Sequence, residues 1–305
     1  MEANTLNSKL PPKRKPLVRK RTLIALSFIL PNFLGFAIFT LVPVAWSFVL
    51  SFMEWSAFAP PSFVGVDNFV RMFGDDSVRI ALWNTVYYTL GTVPLTLLAA
   101  LGLALLLNNA VRGMGFFRTA IFFPFITSLV AVAFVWAMLF HPDHGPINGF
   151  LSMLGFDPPR WLASTTWAMP AIIIISVWRF TGYYMVIYLA GLQSIPYSLY
   201  EAAKIDGANA WRRFINITLP MLRPTTFFVI VMLSINSFRM FDLVQVTTEG
   251  GPGRATTVLV HQLFMAGFVR FEFGYASAIA LLLFFIIISI TIVQFLLGRR
   301  YTIDG

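Results

Sequence analysis

The chain has 305 residues, of which 58% are hydrophobic and 11% are charged. Soluble domains average about 45–50% apolar and about 25% charged residues, so this composition excludes an ordinary soluble protein and indicates a polytopic membrane protein. The sequence has no cysteine, which excludes disulfides, thiolate nucleophiles and cysteine metal ligands.

Residues 1–21 form a basic N-terminal segment with seven Lys or Arg residues and three prolines. Such a composition buries little apolar surface, so we expect a disordered cytoplasmic tail. The apolar run that follows is longer than the about 7–15 residues of a signal-peptide core. It therefore predicts an uncleaved first membrane span.

Six apolar runs are each long enough to cross about 30 Å of hydrocarbon, which takes about 20 helical residues. They occupy residues 22–53, 80–111, 119–140, 167–192, 225–246 and 274–298. The sequence thus predicts an all-α membrane protein with a single six-span domain over residues 22–300. Three sizeable loops, 54–79, 141–166 and 247–273, separate these spans on one side of the membrane.

Lysine and arginine set the orientation, because cytoplasmic loops carry an excess of both. With the N-terminus inside, fifteen of the 22 basic residues lie in cytoplasmic segments and five in outer loops, and Arg179 and Arg239 lie within spans. This bias predicts that both termini face the cytoplasm. The same bias explains the net charge of +9 as a consequence of topology and lipid contact. Nucleic-acid binding is not needed to account for this charge.

A polar segment, residues 193–223, separates the fourth and fifth predicted spans. Pro196 suits the first turn of a helix, and Gly207 suits the left-handed turn that ends it. The next helix carries an apolar stripe at helical spacing, formed by Trp211, Phe214, Ile215, Thr218 and Leu222. Helices of about ten residues are marginal alone in water, so we expect a partner surface here, the alternative being an ordinary amphipathic connector.

The pattern Glu201-Ala202-Ala203, then Gly207, then Ile217-Thr218-Leu219-Pro220 resembles the cytoplasmic signature loop of ABC importer permeases. We call residues 193–223 the signature loop. The resemblance extends along the chain through Phe63-Val64-Gly65, Asp67-Asn68-Phe69, Asn84-Thr85, Leu189-Ala190-Gly191, Phe241-Asp242, Gly250-Gly251-Pro252 and Phe273-Gly274-Tyr275. These segments are similar to carbohydrate-type permeases of maltose and glycerol-phosphate importers, without the extra N-terminal spans and outer domain of the maltose subunit.

The resemblance implies a type I importer permease, in a bacterial or archaeal cell membrane, for a sugar, oligosaccharide or related polyol. It implies four kinds of partner: a second permease, two ATPase subunits, an extracytoplasmic solute-binding protein and membrane lipid. The residues that it assigns to ATPase coupling are Glu201, Ala202, Ala203, Asp206, Gly207 and Ala208.

The chain has no Gly-x-x-x-x-Gly-Lys-Ser/Thr run, which P-loop ATPases use to hold phosphates. We therefore expect no cofactor and no enzyme activity on this chain, with ATP and Mg²⁺ on the partner ATPase.

Charges within spans are costly and usually face protein or water. Arg179 lies mid-span, while Arg239 and Asp242 are three residues apart and able to pair on one helix face. The alternatives are a local Arg239–Asp242 ion pair, an ion pair of Arg179 with another helix or subunit, or a lining of the solute path. The matching region of the maltose-type subunit holds the substrate pocket. The candidate path residues are Trp178, Arg179, Tyr183, Asn236, Ser237, Arg239 and Met240.

Other functions find less support in the sequence. His141, Asp143 and His144 suggest a metal cluster, but no further ligand is evident, and a solvated turn is the preferred interpretation. His261 stands alone and predicts a solvated or locally bonded side chain. An ion-coupled secondary transporter is the main alternative, since ionisable residues within spans carry such coupling. An intramembrane enzyme is the third alternative. It would need a metal cluster or a nucleophile–base motif, and the sequence shows neither.

Overall fold

The computed structural model describes residues 17–56, 59–108 and 113–302. The chain divides into two compact units, residues 1–49 and 50–305. In the first unit, α1 (Leu17–Phe36) continues through a π turn into α2 (Val42–Leu50). The apolar stretch Ile24–Leu50 is long enough to cross a membrane, as expected for the first span. The helix begins inside the predicted tail, whose residues 1–16 lie outside the described part.

The second unit opens with a hairpin and a short helix in place of an irregular loop. Strands β1 (Met53–Ser56) and β2 (Ala59–Phe63) pair antiparallel, and α3 (Asp67–Gly74) follows. The Asn68 side chain donates to the carbonyl oxygens of Ser51 and Met53 at 3.0 and 2.9 Å. These bonds satisfy backbone acceptors where the chain leaves α2.

Two long helices form the packed centre of this unit. They are α4 (Asp76–Leu107) and α8 (Ala168–Gln193). Gly91 lets the backbone of α4 approach Ile173 of α8, where a Cβ atom would come within 2.7 Å of the isoleucine side chain. A third long apolar helix, α15 (Phe273–Thr302), ends the described chain.

Two of the predicted spans are not continuous helices. The third is broken into α5 (Met114–Ile126) and α6 (Leu129–Leu139), which differ in direction by 99°. The extended backbone of Thr127 and Ser128, with ψ of 147° and 128°, makes this break. Hydropathy measures how favourably residues transfer to lipid and carries no information about backbone direction. The sequence therefore did not indicate the break between α5 and α6.

The fifth predicted span also differs from the structure. Its helix, α12 (Arg223–Phe238), ends eight residues early, and α13 (Asp242–Thr247) starts after a gap. α12 is also bent by 62° from the preceding segment Ala210–Met221. Among the described residues, four helices are long and apolar enough to span, or up to six if each bent pair counts as one span.

The loop after α6 carries α7 (Pro146–Met153) and a 3₁₀ turn, Trp161–Ala163. His141 Nδ1 accepts from the backbone N–H groups of Asp143 and His144 at 3.3 and 3.2 Å. The histidine thus closes a local turn, in line with the preferred interpretation. In the described part of the chain no group of three or more His, Asp or Glu side chains is placed to hold a metal ion.

The loop before the last long helix folds back onto α4. It contains α14 (Leu259–Phe264) and a π turn, Met265–Val269. Asn84 Nδ2 donates to the carbonyl oxygens of Arg254 and Thr257, at 2.9 and 3.0 Å. Of the two alternatives for His261, a solvated or a locally bonded side chain, burial excludes the first. Its Nδ1 has no hydrogen-bond partner among the described atoms, and its ring centre lies 6.3 Å from that of Phe241.

Candidate functional site

The signature loop folds as two short helical segments around a glycine. The first is α9 (Tyr197–Ile205); the second comprises α10 (Ala210–Arg213), a π turn (Phe214–Thr218) and α11 (Leu219–Met221). Gly207 has φ +75°, and the N–H of Ala208 donates to the carbonyl oxygen of Ala203 at 2.8 Å. Glycine takes this left-handed conformation at little cost, which confirms the predicted turn.

Side-chain hydrogen bonds order the signature loop, one of them between its two segments. The hydroxyls of Tyr200 and Thr218 lie 2.9 Å apart. Asn209 caps the second segment by accepting from the N–H of Arg212 at 2.9 Å, which satisfies one of the free donors of a helix start. The loop is therefore a defined element with its own internal bonding.

The signature loop presents apolar side chains to its surroundings. No residue of α9 is buried, and the exposed fractions of Tyr197, Ile205 and Trp211 are 64%, 87% and 66%. Four of the predicted coupling residues are exposed and two, Ala203 and Ala208, are half-buried. They are Glu201, Ala202, Ala203, Asp206, Gly207 and Ala208. Apolar groups clustered on an exposed surface mark an interaction site.

A second feature is a cavity of about 400 Å³ that lies at both helix breaks. We call it the arginine cavity. Phe125 and Leu129 line it from either side of the α5–α6 bend, and residues 239–243 line it at the gap between α12 and α13. Its other lining residues are Tyr88, Ser176, Arg179, Phe180 and Asn236. Non-helical backbone at membrane depth is tolerated where it lines a cavity.

The arginine cavity unites four of the seven residues predicted for the solute path, Arg179, Asn236, Arg239 and Met240. The other three do not line it.

Trp178 is partly exposed and packs edge-on against Trp136 at 5.5 Å. Tyr183 stacks behind Phe125 at 4.4 Å, and Ser237 is buried in the packing of α12. Trp178 and Tyr183 are thus not among the residues that line the cavity beside Arg179, and their part in the solute path stays a prediction. Adjacent helical residues point about 100° apart, and the helix rotation was unknown from the sequence.

The two arginines of the cavity have no ion-pair partner among the described side chains. The ion pairs among the described side chains are Arg71–Glu272, Arg270–Glu272 and Arg79–Asp76. Arg239 and Asp242 therefore do not form the predicted local pair, because the helix ends at Phe238 and no common face carries both.

Arg179 packs its charge against aromatic rings. Its guanidinium carbon lies 5.9 and 5.7 Å from the ring centres of Phe125 and Phe180, within the range of cation–π attraction. Its Nε is buried and has no hydrogen-bond partner. The cavity thus holds a guanidinium that forms no ion pair with the described side chains, with the carboxylate of Asp242 lining the same space.

Tyr88 and Ser176 also line the cavity and were not predicted from the sequence, whereas Asn236 was. Tyr88 donates to Ser176 Oγ at 2.9 Å, joining α4 to α8. Asn236 Nδ2 donates to Tyr184 Oη at 3.1 Å, joining α12 to α8. The partners lie 88 and 52 residues apart, so no local sequence pattern signals either contact.

The long apolar helices, the polar cavity at two helix breaks and the exposed two-helix loop define an integral membrane transport subunit. Residues 92–303 match the family described as "Binding-protein-dependent transport system inner membrane component". The chain belongs to this family, whose members are transport subunits and not enzymes. It is an inner membrane component with several apolar helices.

Known proteins resemble the chain over nearly its whole length. It is 41% identical over 288 residues to the probable ABC transporter permease protein YesP of Bacillus subtilis, covering 93% of each chain. It is 34% identical over 302 residues to the diacetylchitobiose uptake system permease protein NgcF of Streptomyces coelicolor, covering 94% of this chain and 86% of the other.

A solved structure resembles the fold. It is a bacterial ABC transporter involved in the import of the acidic polysaccharide alginate, with a TM-score of 0.81 and 26% identity. The match covers 93% of this chain and 97% of the other. Together with the family match it confirms the predicted type I permease fold.

Proposed function

We propose that the chain is a permease subunit of an ATP-driven importer of a saccharide or related polyol, and that the solute passes through the arginine cavity. The observation that carries this proposal is a cavity with polar and aromatic walls where two apolar helices are interrupted. Its volume of about 400 Å³ falls within the about 300–1,000 Å³ of ligand pockets. The relatives named for diacetylchitobiose and alginate support a saccharide.

Hydroxyl-rich solutes match the chemistry of this wall. Asn236 lines the cavity, is exposed and offers hydrogen-bonding groups to hydroxyls. Tyr88 and Ser176 line it as a buried, mutually bonded pair of hydroxyls. Phe125, Phe180 and Phe241 line the same space, and aromatic faces pack against the C–H faces of sugar rings.

A bulky side chain inside the cavity tests the path. Asn236→Trp should block uptake by a reconstituted importer while the complex still assembles, because Asn236 lines the cavity and is exposed. Phe228→Trp is the matched control, because Phe228 lies on the same helix, is 48% exposed and does not line the cavity. Equal uptake by both variants would remove the cavity from the path. Uptake driven by an ion gradient without ATP would instead support secondary transport.

The signature loop is proposed as the contact for the ATPase. Its exposed apolar side chains, Tyr197, Ile205 and Trp211, would be buried in a cleft of that subunit, so that ATPase closure moves the loop and opens the cavity to either side in turn. The assembly would contain a second permease, two ATPase subunits that hold ATP and Mg²⁺, and an extracytoplasmic binding protein. Both termini and the loop would face the cytoplasm.

Cross-linking tests this contact directly. The chain has no cysteine, so Ile205→Cys supplies a single reactive position on the signature loop. Met153→Cys is the matched control, because Met153 and Ile205 are both 87% exposed and Met153 lies at the end of α7. A bifunctional reagent should join position 205, and not position 153, to the ATPase subunit. Failure to capture the ATPase from position 205 would contradict the proposal.

A further inference from the structure

The charges of the arginine cavity differ from those of a site for a neutral sugar. Arg179, Arg239 and Asp242 line it, which gives one net positive charge. None of the three takes part in an ion pair within the described side chains.

Position and packing make this charge costly. Arg179 lies in the middle of α8, where a cation usually pairs with a counter-charge or contacts water. The Nε of Arg179 is buried without a hydrogen-bond partner, and a buried donor left unpaired is unfavourable. The rings of Phe125 and Phe180, at 5.9 and 5.7 Å from the guanidinium carbon, replace only part of the hydration that Arg179 has in water. An anion in the cavity would therefore be bound strongly by Arg179.

We infer that the importer carries an anionic saccharide, whose carboxylate, phosphate or sulfonate group is bound by Arg179 and Arg239. Guanidinium groups form bidentate bonds to planar or tetrahedral oxyanions. The hydroxyls of the same solute would meet Asn236 and the Tyr88–Ser176 pair, and Asp242 would accept from a hydroxyl. The inference rests on the proposed function and names the solute class of the same cavity.

Uptake from a defined mixture of solutes tests the inference. The whole importer, with its cognate binding protein, is reconstituted in proteoliposomes with internal ATP. The external mixture contains neutral oligosaccharides, uronic-acid oligosaccharides, sugar phosphates and sulfonated sugars at equal concentration. Mass spectrometry of the lumen identifies what accumulates, and the separate acidic classes show which oxyanion is carried.

Each outcome has a definite meaning. Accumulation of an acidic class above the neutral one supports the inference. Preferential accumulation of a neutral oligosaccharide overturns it and leaves the proposed function intact. Accumulation of no class contradicts the proposed function itself, and the inference fails with it.

Charge-neutralising variants connect the preference to these residues. Arg179→Gln and Arg239→Gln should each lower uptake of the acidic solute by about tenfold or more, the usual loss for a charged hydrogen bond. Arg239→Lys keeps the charge and should retain more uptake than Arg239→Gln. Arg160→Gln is the matched control, because Arg160 is exposed and lies outside the cavity. Unchanged uptake in both glutamine variants, at normal yield of the complex, would overturn the inference.

Discussion

The hydroxyls of Tyr200 and Thr218 lie 2.9 Å apart and join the two helical segments of the signature loop. The pair is partly buried, because Tyr200 and Ile217 pack the loop against a core cluster with residues of α4 and α8. Removing one hydroxyl costs about 1 kcal/mol of local stability. That loss of stability is small for the whole protein. It falls, however, on the loop through which the motion of the ATPase would be transmitted.

We therefore expect Tyr200→Phe to lower uptake while the complex still assembles, because a looser loop transmits less of the ATPase motion. The measurement is transport per ATP hydrolysed in proteoliposomes. Tyr87→Phe is the control, since Tyr87 is exposed on α4, outside the signature loop. Identical transport ratios for both variants and the wild type would show that the hydroxyl pair has no part in coupling.

Gly207→Pro should abolish transport and leave membrane insertion intact. Proline fixes φ near −65° and has no N–H, whereas Gly207 has φ +75° and donates to the carbonyl oxygen of Lys204 at 3.1 Å. Gly155→Pro is a matched control, because Gly155 has φ +80° and donates to Ser152 at 3.0 Å, outside the signature loop. Equal loss of uptake in both variants would indicate general damage to folding.

Much of this architecture follows from the sequence. Hydropathy located the long helices α4, α8 and α15, because the length of an apolar run is set by the bilayer. The signature loop was also predictable, since the left-handed turn at Gly207 and the apolar stripe after it are local features. The family match then agreed with the resemblance carried by that loop.

The cavity was predictable only in part. Charge within a span identified Arg179 and Arg239, because the cost of burying a guanidinium is visible in any apolar run. The breaks after Ile126 and Phe238 were not visible, and they determine which aromatic rings line the cavity. Phe125 therefore lines the cavity, and Tyr183, a predicted path residue, stacks on it.

Single cysteines test the predicted orientation. In sealed cells an impermeant maleimide should label Arg160→Cys and leave Lys204→Cys unlabelled until the membrane is opened, as the distribution of basic residues requires. Both positions are exposed in the structure, so access depends on the side of the membrane alone. Labelling of position 204 in sealed cells would reverse the topology.

Gly182 should be intolerant of any side chain. A Cβ atom there would overlap the backbone carbonyl of Ile121 on α5, and overpacking of this kind costs about 1–3 kcal/mol. We expect Gly182→Ala to displace α5 from α8, lower the thermal stability of the complex and reduce uptake. Gly102→Ala is the control, since no atom lies within 4 Å of a Cβ built there. A normal melting temperature for Gly182→Ala would contradict this packing.

Asp75 links the start of α4 to α15 and should make stability depend on pH. It accepts from Tyr275 Oη and from the N–H of Ser77, each at 2.7 Å. Burial tends to raise the pKa of Asp75, but these hydrogen bonds outweigh it and the pKa lies below its ordinary value of 3.8.

A depressed carboxyl pKa stabilises the folded state above the unfolded-state pKa, and the contribution is lost as pH falls through the folded-state pKa. Asp75→Asn keeps an oxygen that can accept from Ser77 and removes the titration. Detergent-solubilised wild type should therefore lose more thermal stability than Asp75→Asn when the pH is lowered from about 6 to about 3. Asp143→Asn is the control, because no hydrogen bond to its side chain is present in the described structure. Parallel losses in the wild type and Asp75→Asn would show that this carboxylate contributes no pH-dependent stability.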